Sequence, residues 1–301
     1  MGARMSPVVT GRKLEGKRAI ITGSSRGLGA VIAEAMWQAG ANLLLIARSE
    51  ESLRELQNRL STSRTGTQRV QVFRADLRDP AAPRAIIAEA RRICPFIDIL
   101  VNNAGIIGPV GMVLDNDWGE WRETVQVNLL APAELSKLAI EWMQETGEDG
   151  SIINLSGGGA ATPRPRFSAY ATAKCGLVRF SETIAAEVAS MGIRVNCIAP
   201  GAMNTEMLRE TLRAGPDRVG RDEYERIMKS AAGGASDPQL AADLVVYLAS
   251  ERSAGVTGKL ISAIWDPWRS LHEHIEDLRT TDIYTLRRIV PEERGKAWAS
   301  A

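Results

Sequence analysis

Residues 18–29 read RAIITGSSRGLG, an apolar run followed at once by a turn with three glycines. The run follows the helix-breaking Gly16 and has the length and composition of a short buried strand. After the turn, apolar side chains recur at helical spacing, at Val31, Ile32, Ala35 and Met36. A strand, a glycine turn and a helix in this order favour phosphate binding, because the helix N-terminus offers free N–H groups and the positive end of its dipole. The alternative is a glycine-rich loop that binds nothing.

Strand-like and helix-like patterns alternate along the rest of the chain. Further strands are predicted at Asn42 to Ala47, Val70 to Arg74, Ile97 to Val101, Ser151 to Leu155, Ile193 to Ile198 and Gly258 to Ile264. Helices are predicted at Glu50 to Leu60, Trp118 to Trp142 and Ser168 to Ser190. Such alternation implies parallel pairing with right-handed crossovers. We therefore predict an α/β fold: a doubly wound, Rossmann-like, mostly parallel sheet of about seven strands with helices on both faces.

Polar and glycine residues follow several of these strands closely. They are Gly29, Asp76, Asn103, Ser156 and Gly201. Ligands of doubly wound sheets bind beyond the carboxyl ends of the strands. The sequence therefore predicts that these residues share one site.

The chain has 301 residues, and α/β folds of more than 200 residues often form one domain. We predict an N-terminal tail at residues 1–13, a catalytic domain at 14–264 and a C-terminal extension at 265–301.

Composition excludes several function classes. With 37 Lys and Arg against 36 Asp and Glu, the net charge of +1 gives no reason to expect nucleic acid or a membrane surface as a partner. No apolar stretch approaches the roughly 20 residues of a membrane span, and the first 13 residues lack the apolar core of a signal peptide. The three cysteines show no metal-ligand spacing and suit reduced thiols, so we expect a cytoplasmic protein without a metal.

Tyr170 and Lys174 are four residues apart and share one face of the predicted helix. A phenol has a pKa of about 10, and a neighbouring ammonium favours the phenolate and lowers that value. A hydroxyl from Ser156 in the same site would hold a carbonyl oxygen for reduction. The Tyr–Lys spacing alone is common in helices, so its meaning depends on the dinucleotide-binding turn at the other end of the chain.

Six motifs occur in a set order: Thr22-Gly-x-x-x-Gly-x-Gly29, Asn102-Asn103-Ala104-Gly105, Asn128, Ser156, Tyr170-x-x-x-Lys174 and Pro200-Gly201-x-x-x-Thr205. The glycine spacing differs from the G-x-G-x-x-G of the general dinucleotide fingerprint. Over residues 14–264 the chain resembles the short-chain dehydrogenase/reductase family, in the single-domain branch that includes 3-oxoacyl-carrier-protein reductases.

The resemblance implies a role for each catalytic residue. Tyr170 would act as general acid toward the carbonyl oxygen, and Lys174 would lower the pKa of Tyr170 and hydrogen-bond the nicotinamide ribose. Ser156 would orient the substrate oxygen and stabilise its developing charge. Asn128 would hold a water that relays the replacement proton. From the sequence alone, Asn128 also fits a helix surface or a satisfied core amide.

The resemblance also predicts the cofactor contacts. They are Gly23, Ser24, Ser25, Arg26, Gly27, Leu28, Gly29, Arg48, Asp76, Leu77, Asn103, Ala104, Gly105, Tyr170, Lys174, Pro200, Gly201, Met203 and Thr205. Asp76 and Leu77 would frame the adenine, and the segment from Pro200 to Thr205 would line the nicotinamide.

The choice between NAD and NADP depends on the end of the second strand. An acidic residue there would bind the ribose 2′-OH of NAD. This chain has Arg48 instead, and Arg26 lies inside the glycine turn. Two guanidinium groups favour a 2′-phosphate through charge-assisted bonds. We predict NADP(H); in the alternative interpretation Arg48 is a solvated loop residue.

Two segments are expected to shape the substrate pocket. In the first, Gly157 to Phe167, Arg164 or Arg166 would either meet an anionic group of the substrate or lie in solvent. In the second, Met203 to Ala235, the glycines suggest the hinges of a movable lid, and the alternative is a pair of charged surface helices.

The chain continues beyond the last predicted strand, where most relatives stop. Leu271, Ile275 and Leu278 predict a short amphipathic helix in this extension. Its three tryptophans are Trp265, Trp268 and Trp298. Because tryptophan is frequent at interfaces, we expect the extension to dock, with the active site of this chain or of a neighbour as a candidate surface. Its two histidines, His272 and His274, would point to different faces and do not suggest a metal site.

We therefore predict an NADP(H)-dependent oxidoreductase that reduces a carbonyl to a secondary alcohol, or catalyses the reverse. An extension close to the site would suit an enclosed small ketone, keto-sugar or secondary-metabolite intermediate. The alternatives are a 3-oxoacyl-[acyl-carrier-protein] reductase and, in another class, a non-catalytic NADP-binding sensor or scaffold. By resemblance we expect a homodimer or homotetramer that pairs through the helices of Asn128 and Tyr170.

Overall fold

A computed structural model describes residues 13–63 and 66–298. Its seven strands form one sheet in the order β3-β2-β1-β4-β5-β6-β7, and every neighbouring pair is parallel. The strands are β1 (Arg18–Thr22), β2 (Asn42–Ala47), β3 (Val70–Arg74), β4 (Ile99–Asn102), β5 (Gly150–Leu155), β6 (Ile193–Ala199) and β7 (Leu260–Ser262). The predicted doubly wound parallel sheet is confirmed.

Helices connect the strands on both faces. They are α1 (Gly27–Gln38), α2 (Glu50–Thr62), α3 (Ala82–Ile93), α4 (Trp118–Val125), α5 (Ala131–Thr146), α6 (Ser168–Glu187), α7 (Glu206–Arg213), α8 (Gly215–Val219), α9 (Arg221–Lys229), α10 (Pro238–Ala249) and α11 (Ile275–Thr280). The single helix predicted at Trp118 to Trp142 is instead two helices joined by a π-helical turn, Gln126–Leu130. The sequence analysis did not predict α3.

Helices cover both faces of the sheet, and successive strand residues point to opposite faces. The side chains on both sides are therefore buried. Leu43 and Leu45 of β2 pack in one apolar cluster with α1 and α10, and Leu44 and Ile46 pack in the other with α3 and α5. This two-sided burial explains why the strands are nearly continuous apolar runs.

The strand order reverses at β1, which lies between β2 and β4. At such a switch point the loops beyond the carboxyl ends diverge and leave a crevice. The turn after β1 and the loop from Asn103 to Gly105 after β4 border this crevice.

The C-terminal extension docks onto its own chain. Trp268, in a 3₁₀ turn at Trp268–Glu273, is 4% exposed and packs against Tyr247 of α10 with ring centroids 5.7 Å apart. Further on, the Lys259 amine donates to the carbonyls of Thr281 and Ile283, and the Leu260 N–H donates to the Tyr284 carbonyl at 2.8 Å. This segment therefore runs along the outer edge of β7.

These contacts do not place the extension over the active site of its own chain, and docking onto a neighbour's active site stays a prediction. Beyond β7, Leu286 meets α6 at Arg179 and Glu182, more than two helical turns past Tyr170. Trp265 and Trp298 are 85% and 73% exposed. The extension therefore covers α10 and the sheet edge, because the apolar surface available to it lies there. The extension therefore does not enclose the substrate site of its own chain.

Within residues 13–63 and 66–298, no helix combines the length and apolar character needed to cross a membrane.

Candidate active site

The glycine turn after β1 is packed too tightly for side chains. A Cβ on Gly29 would overlap with the Gly23 carbonyl oxygen, and one on Gly23, where φ is +65°, would lie 2.7 Å from Cα of Ala104. Ser24 is buried, and its hydroxyl donates to the Ile46 carbonyl at 3.3 Å. Ser24 therefore ties the turn to β2, while Arg26 at the start of α1 stays exposed.

The loop after β4 is fastened to this turn. The Asn103 amide donates to the carbonyls of Thr22 and Gly23 at 2.9 and 3.0 Å. The Thr22 hydroxyl accepts from the N–H groups of Asn103 and Ala104, both at 3.1 Å. Asn103 therefore builds the floor of the crevice with its side chain, which leaves the backbone from Ala104 to Gly105 to face a ligand.

Basic side chains gather where β2 and β3 end. Arg26 and Arg48 are exposed, and neither forms an ion pair within the described part of the chain. Asp76 does have a partner, because Arg78 donates to its carboxylate at 2.9 Å. This hydrogen bond is the main cause that lowers the pKa of Asp76, and the charge of Arg48 acts in the same direction. The edge predicted to bind the adenosine end is therefore positively charged.

Tyr170 and Lys174 lie in the first turns of α6, beside the carboxyl end of β5. They are 7% and 3% exposed. The Lys174 amine donates to the Leu155 carbonyl at 2.7 Å and lies 5.8 Å from the Tyr170 ring centroid. A Cβ on Gly157 would overlap with the Tyr170 hydroxyl, so this hydroxyl lies against the residue that follows Ser156.

Ser156 has a buried hydroxyl that finds no hydrogen-bond partner among the described residues. A buried unsatisfied hydroxyl costs about 1–3 kcal/mol. Such a group is tolerated where a ligand supplies the missing partner. The Ser156 hydroxyl and the Tyr170 hydroxyl, which lies against the next residue Gly157, are therefore suited to bind one oxygen atom together.

Burial controls the protonation of this pair. It lowers the pKa of Lys174 to about 8, because an ammonium is poorly solvated there. It raises the pKa of Tyr170, and the Arg164 guanidinium opposes that rise. In this arrangement the Lys174 amine donates to the Leu155 carbonyl, and its expected lowering of the Tyr170 pKa stays a prediction.

Asn128 lies fully buried in the π-helical turn between α4 and α5. Its amide oxygen accepts from the Ile106 N–H at 3.1 Å, and its amide nitrogen donates to the Ile106 carbonyl at 2.8 Å. A Cβ on Gly105 would lie 2.7 Å from that amide oxygen and 3.6 Å from the Lys174 amine. The side chain is thus a satisfied core amide that positions the loop; its water-relay role stays a prediction.

The segment from Pro200 to Thr205 leaves β6 and leads into α7. Gly201 has φ +89°, and a Cβ there would lie 2.7 Å from Ile264 and 2.8 Å from the Ser236 hydroxyl. The Thr205 hydroxyl accepts from the Leu208 N–H and caps α7. Met203 packs against the main core. The Thr205 hydroxyl keeps its O–H as a donor, and its predicted contact with the nicotinamide stays a prediction.

Three short helices, α7 to α9, form the segment that we expected to be either a lid or surface helices. Their apolar faces pack over Tyr170 and the loop from Ile107 to Val110. A cavity of about 390 Å³ lies between this loop, α4 and the helices α7 and α8. The helices thus cover the substrate side of the site.

Three residues that contribute to the site were not among the contacts predicted from the sequence. Thr22 opens the glycine motif and Ile106 follows the Asn102-Asn103-Ala104-Gly105 motif, and their contribution is made by backbone or hydroxyl contacts that a motif does not reveal. Arg78 is two residues past Asp76, a spacing that could have suggested their ion pair. Among the described residues, no group of three or more His, Cys, Asp or Glu is placed to hold a metal ion.

Comparison with known proteins agrees with this geometry. Residues 17–215 match the profile of the short chain dehydrogenase family. The 3-oxoacyl-[acyl-carrier-protein] reductase of Escherichia coli K12 is 32% identical over 253 residues, which covers 82% of this chain and 95% of that protein. The 3beta-hydroxysteroid dehydrogenase 1 of Eggerthella lenta is 36% identical over 247 residues, 81% of this chain and 91% of that protein.

Solved structures agree as well. A structure from Beutenbergia cavernae, described as an NAD(P) dependent gluconate 5-dehydrogenase with bound NADP at low occupancy, has a TM-score of 0.73 and 28% identity. The match covers 84% of this chain and 96% of that one. The fold, the glycine turn and the Ser–Tyr–Lys site all occur in this one chain. With the family match and these relatives, the chain belongs to the short-chain dehydrogenase/reductase family.

Proposed function

We propose that this enzyme interconverts a ketone and a secondary alcohol with NADP(H), and that Ser156, Tyr170 and Lys174 perform the chemistry. One observation carries the proposal. The buried, unpartnered hydroxyl of Ser156 lies beside the hydroxyl of Tyr170, at the carboxyl end of β5, where a carbonyl oxygen would complete both.

The residues around the crevice fit a dinucleotide. The close-packed turn from Gly23 to Gly29 exposes backbone at the start of α1, which suits a pyrophosphate. The loop from Asn103 to Gly105 is held against this turn, and Asp76 and Leu77 border the adenine side. Arg26 and Arg48, which have no ion pair in the described chain, support a 2′-phosphate and hence NADP. The NADP described in the Beutenbergia cavernae structure is consistent with this choice.

The proposed mechanism follows from the side chains. A bound nicotinamide supplies or accepts the hydride at the substrate carbon. The Ser156 hydroxyl donates a hydrogen bond to the substrate oxygen and holds it against Tyr170. The Tyr170 hydroxyl gives its proton to this oxygen during reduction, and in the reverse direction the phenolate takes it back. Lys174, when protonated, stabilises the phenolate, and Asn128 fixes the loop that places Gly105 beside the Lys174 amine.

The first test compares oxidation of NADPH and NADH over a panel of ketones, with Tyr170→Phe as the control variant. We expect turnover to prefer NADPH and to fall by about 10²- to 10⁴-fold in the variant, since the proton donor is lost. Binding of NADPH, followed by its fluorescence, should remain. Equal turnover by the wild type and Tyr170→Phe would contradict the assigned role.

Two alternatives are separated by the same experiment. A 3-oxoacyl-[acyl-carrier-protein] reductase, like the Escherichia coli relative, would prefer 3-oxoacyl thioesters over simple ketones. A non-catalytic sensor or scaffold would bind NADPH, turn over no substrate, and keep its cellular role in Tyr170→Phe.

We also propose a cytoplasmic homodimer or homotetramer. The three cysteines are free thiols, as expected in a reducing compartment. Leu130, at the end of the π-helical turn next to α5, is 52% exposed, which supports pairing through the helices around Asn128 and Tyr170.

A further inference from the structure

We infer that the substrate is a neutral, mainly apolar ketone, held beneath a lid that Arg164 and Arg166 fasten to the loop after Ser156. The lid is defined as α7 to α9, residues 206–229. The inference rests on the proposed function and specifies which ketones the site accepts.

Arg164 is occupied by the lid. Its Nε and Nη2 donate to one carboxylate oxygen of Glu223 in α9, at 3.0 and 2.8 Å. Its guanidinium also covers the Phe167 ring at 3.9 Å from the centroid. The side chains of Arg164 and Glu223 are only 21% and 16% exposed, so the pair is weakly screened by solvent. Arg164 is therefore not free to bind an anionic group of the substrate.

Arg166 makes the second connection. Its Nη1 donates to the carbonyls of Asp217 and Arg218 at 2.7 and 3.3 Å. These carbonyls lie in the last turn of α8, where a helix offers no N–H partner to its own carbonyl groups. Gly220 makes room for it, since a Cβ there would lie 3.2 Å from its Nε. The contact therefore depends on both the loop and the lid.

The backbone of Arg166 is strained to make this contact. Its φ is +71°, one of two positive values at non-glycine residues in the described chain. Such a conformation costs about 1–3 kcal/mol and persists only where the surroundings impose it. Here the N–H of Gly111 donates to the Arg166 carbonyl at 2.9 Å and fixes the backbone from the other side.

The lid side of the site is apolar. Ile107, Val110, Phe167 and Tyr170 cluster with Val219 and Ile227 of the lid. The lid side chains packed against this cluster are Met207, Leu208, Leu212, Ala214 and Tyr224. An apolar surface leaves the hydroxyls of a sugar, or a charged group, without partners.

The charges at the adjacent cavity also disfavour anions. Its lining includes Glu120, Glu123 and Glu210 and a single basic residue, Arg218. An excess of negative charge beside a site repels phosphates and carboxylates. Ketones that carry a carboxylate, a phosphate or a phosphopantetheine arm are therefore disfavoured, and neutral apolar ketones are accepted.

The lid contact is tested by hydrogen exchange of residues 206–229 in the full chain with NADPH and no ketone. We expect the amides of residues 206–229 to exchange at least 10-fold faster in Arg164→Gln and in Glu223→Gln. The charge-swapped double variant, Arg164→Glu with Glu223→Arg, should restore most of the protection. Arg213→Gln is the matched control, because among the described residues this lid arginine pairs only with Glu206 inside α7. Unchanged exchange in both single variants would overturn the fastening role.

The substrate class is tested with matched ketones of one skeleton, neutral or bearing a carboxylate or phosphate ester. We expect kcat/KM to be at least 100-fold higher for the neutral ketone. Arg164→Gln should raise KM for it more than it lowers kcat. A preference for the charged ketone that disappears in Arg164→Gln would overturn the inference and leave the reductase function standing. No turnover of any ketone by the wild type would overturn both, whatever the exchange result.

Discussion

The site combines a buried amine and a buried phenol in one turn of a helix. Burial disfavours the ammonium form of Lys174 and the phenolate form of Tyr170. For Lys174 this makes the stability of the fold depend on pH. Lys174 has a pKa of about 8 in the folded chain, against about 10.4 in an unfolded one. Below pH 8 the buried ammonium therefore destabilises the fold by up to about 3 kcal/mol.

We predict that Lys174→Met is more stable than the wild type at pH 7, and that this gain is about 1 kcal/mol smaller at pH 9. Between pH 8 and 10.4 the folded wild type binds fewer protons than the unfolded chain, so its stability contribution from Lys174 rises with pH. The raised pKa values of Tyr170 and Cys197 make stability fall as the pH rises, but both residues are present in the wild type and in Lys174→Met.

Urea unfolding at the two pH values measures this difference. Lys137→Met, on the exposed face of α5, is the control and should show no pH-dependent gain. An equal gain for Lys174→Met at pH 7 and pH 9 would contradict the lowered pKa.

Arg48 provides the second prediction at this scale. Arg48→Asp should lower the preference for NADPH over NADH by about 10- to 100-fold or more, since a charge-assisted hydrogen bond contributes about 1.5–3 kcal/mol. The ratio of kcat/KM for the two cofactors measures it. Arg54→Asp, on the exposed surface of α2, is the control. A ratio that Arg48→Asp leaves unchanged would show that Arg48 is a solvated loop residue.

At the scale of elements, the π-helical turn between α4 and α5 decides how the loop after β4 is held. It places Asn128 so that one side chain satisfies both backbone groups of Ile106. π-Helical turns are rare in proteins overall, and those that occur are often found at functional sites. Here the turn replaces the straight helix that the sequence predicts, and it couples the helix to the crevice.

We predict that Asn128→Ala destabilises the fold by about 2–4 kcal/mol, because the two partly buried backbone groups of Ile106 lose their partner at about 1–3 kcal/mol each. It should also reduce turnover, since the loop beside Lys174 is no longer fixed. Thermal unfolding and kcat are the measurements, and Asn58→Ala, exposed on α2, is the control. A variant with wild-type stability would refute the positioning role.

At the scale of the whole molecule, the C-terminal extension is part of the folded domain. Its 3₁₀ turn and α11 add Trp268, Leu271 and Leu278 to the core cluster that contains α1 and α10. Its next segment hydrogen-bonds to the edge strand β7 and to α6. It thereby covers an edge that would otherwise be open to pairing with another chain.

The two neighbouring tryptophans of the extension provide a matched prediction. Trp268→Ala should destabilise the protein by about 3–5 kcal/mol, the usual effect of truncating a buried aromatic side chain. Trp265→Ala should change stability by no more than about 0.5 kcal/mol, because this side chain is 85% exposed. Denaturant midpoints compare the two variants. Similar midpoints for both would show that the extension does not depend on Trp268 for docking.

Much of the fold could be predicted from the sequence. All seven strands were predicted, and most appear as apolar runs because a two-sided parallel sheet buries most of their residues, whereas the edge strand β3 exposes Gln71 and Arg74. The glycine turn and the Tyr–Lys pair are local patterns, and their order along the chain identified the family. The helix α3 was missed although its amphipathic pattern was available.

The sequence by itself determined the strands, the glycine turn after β1 and the residues that meet at the carboxyl edge of the sheet. These follow from periodicity and from backbone freedom at glycine, which act over a few residues. Only the tertiary structure decided that Arg164 pairs with Glu223, 59 residues away, and that Arg166 holds α8. It also decided that Asn128 holds Ile106 and that the extension lies on α10 and β7. Side chains such as these reach many partners, and the partner chosen depends on which surfaces the completed fold brings within a few ångströms.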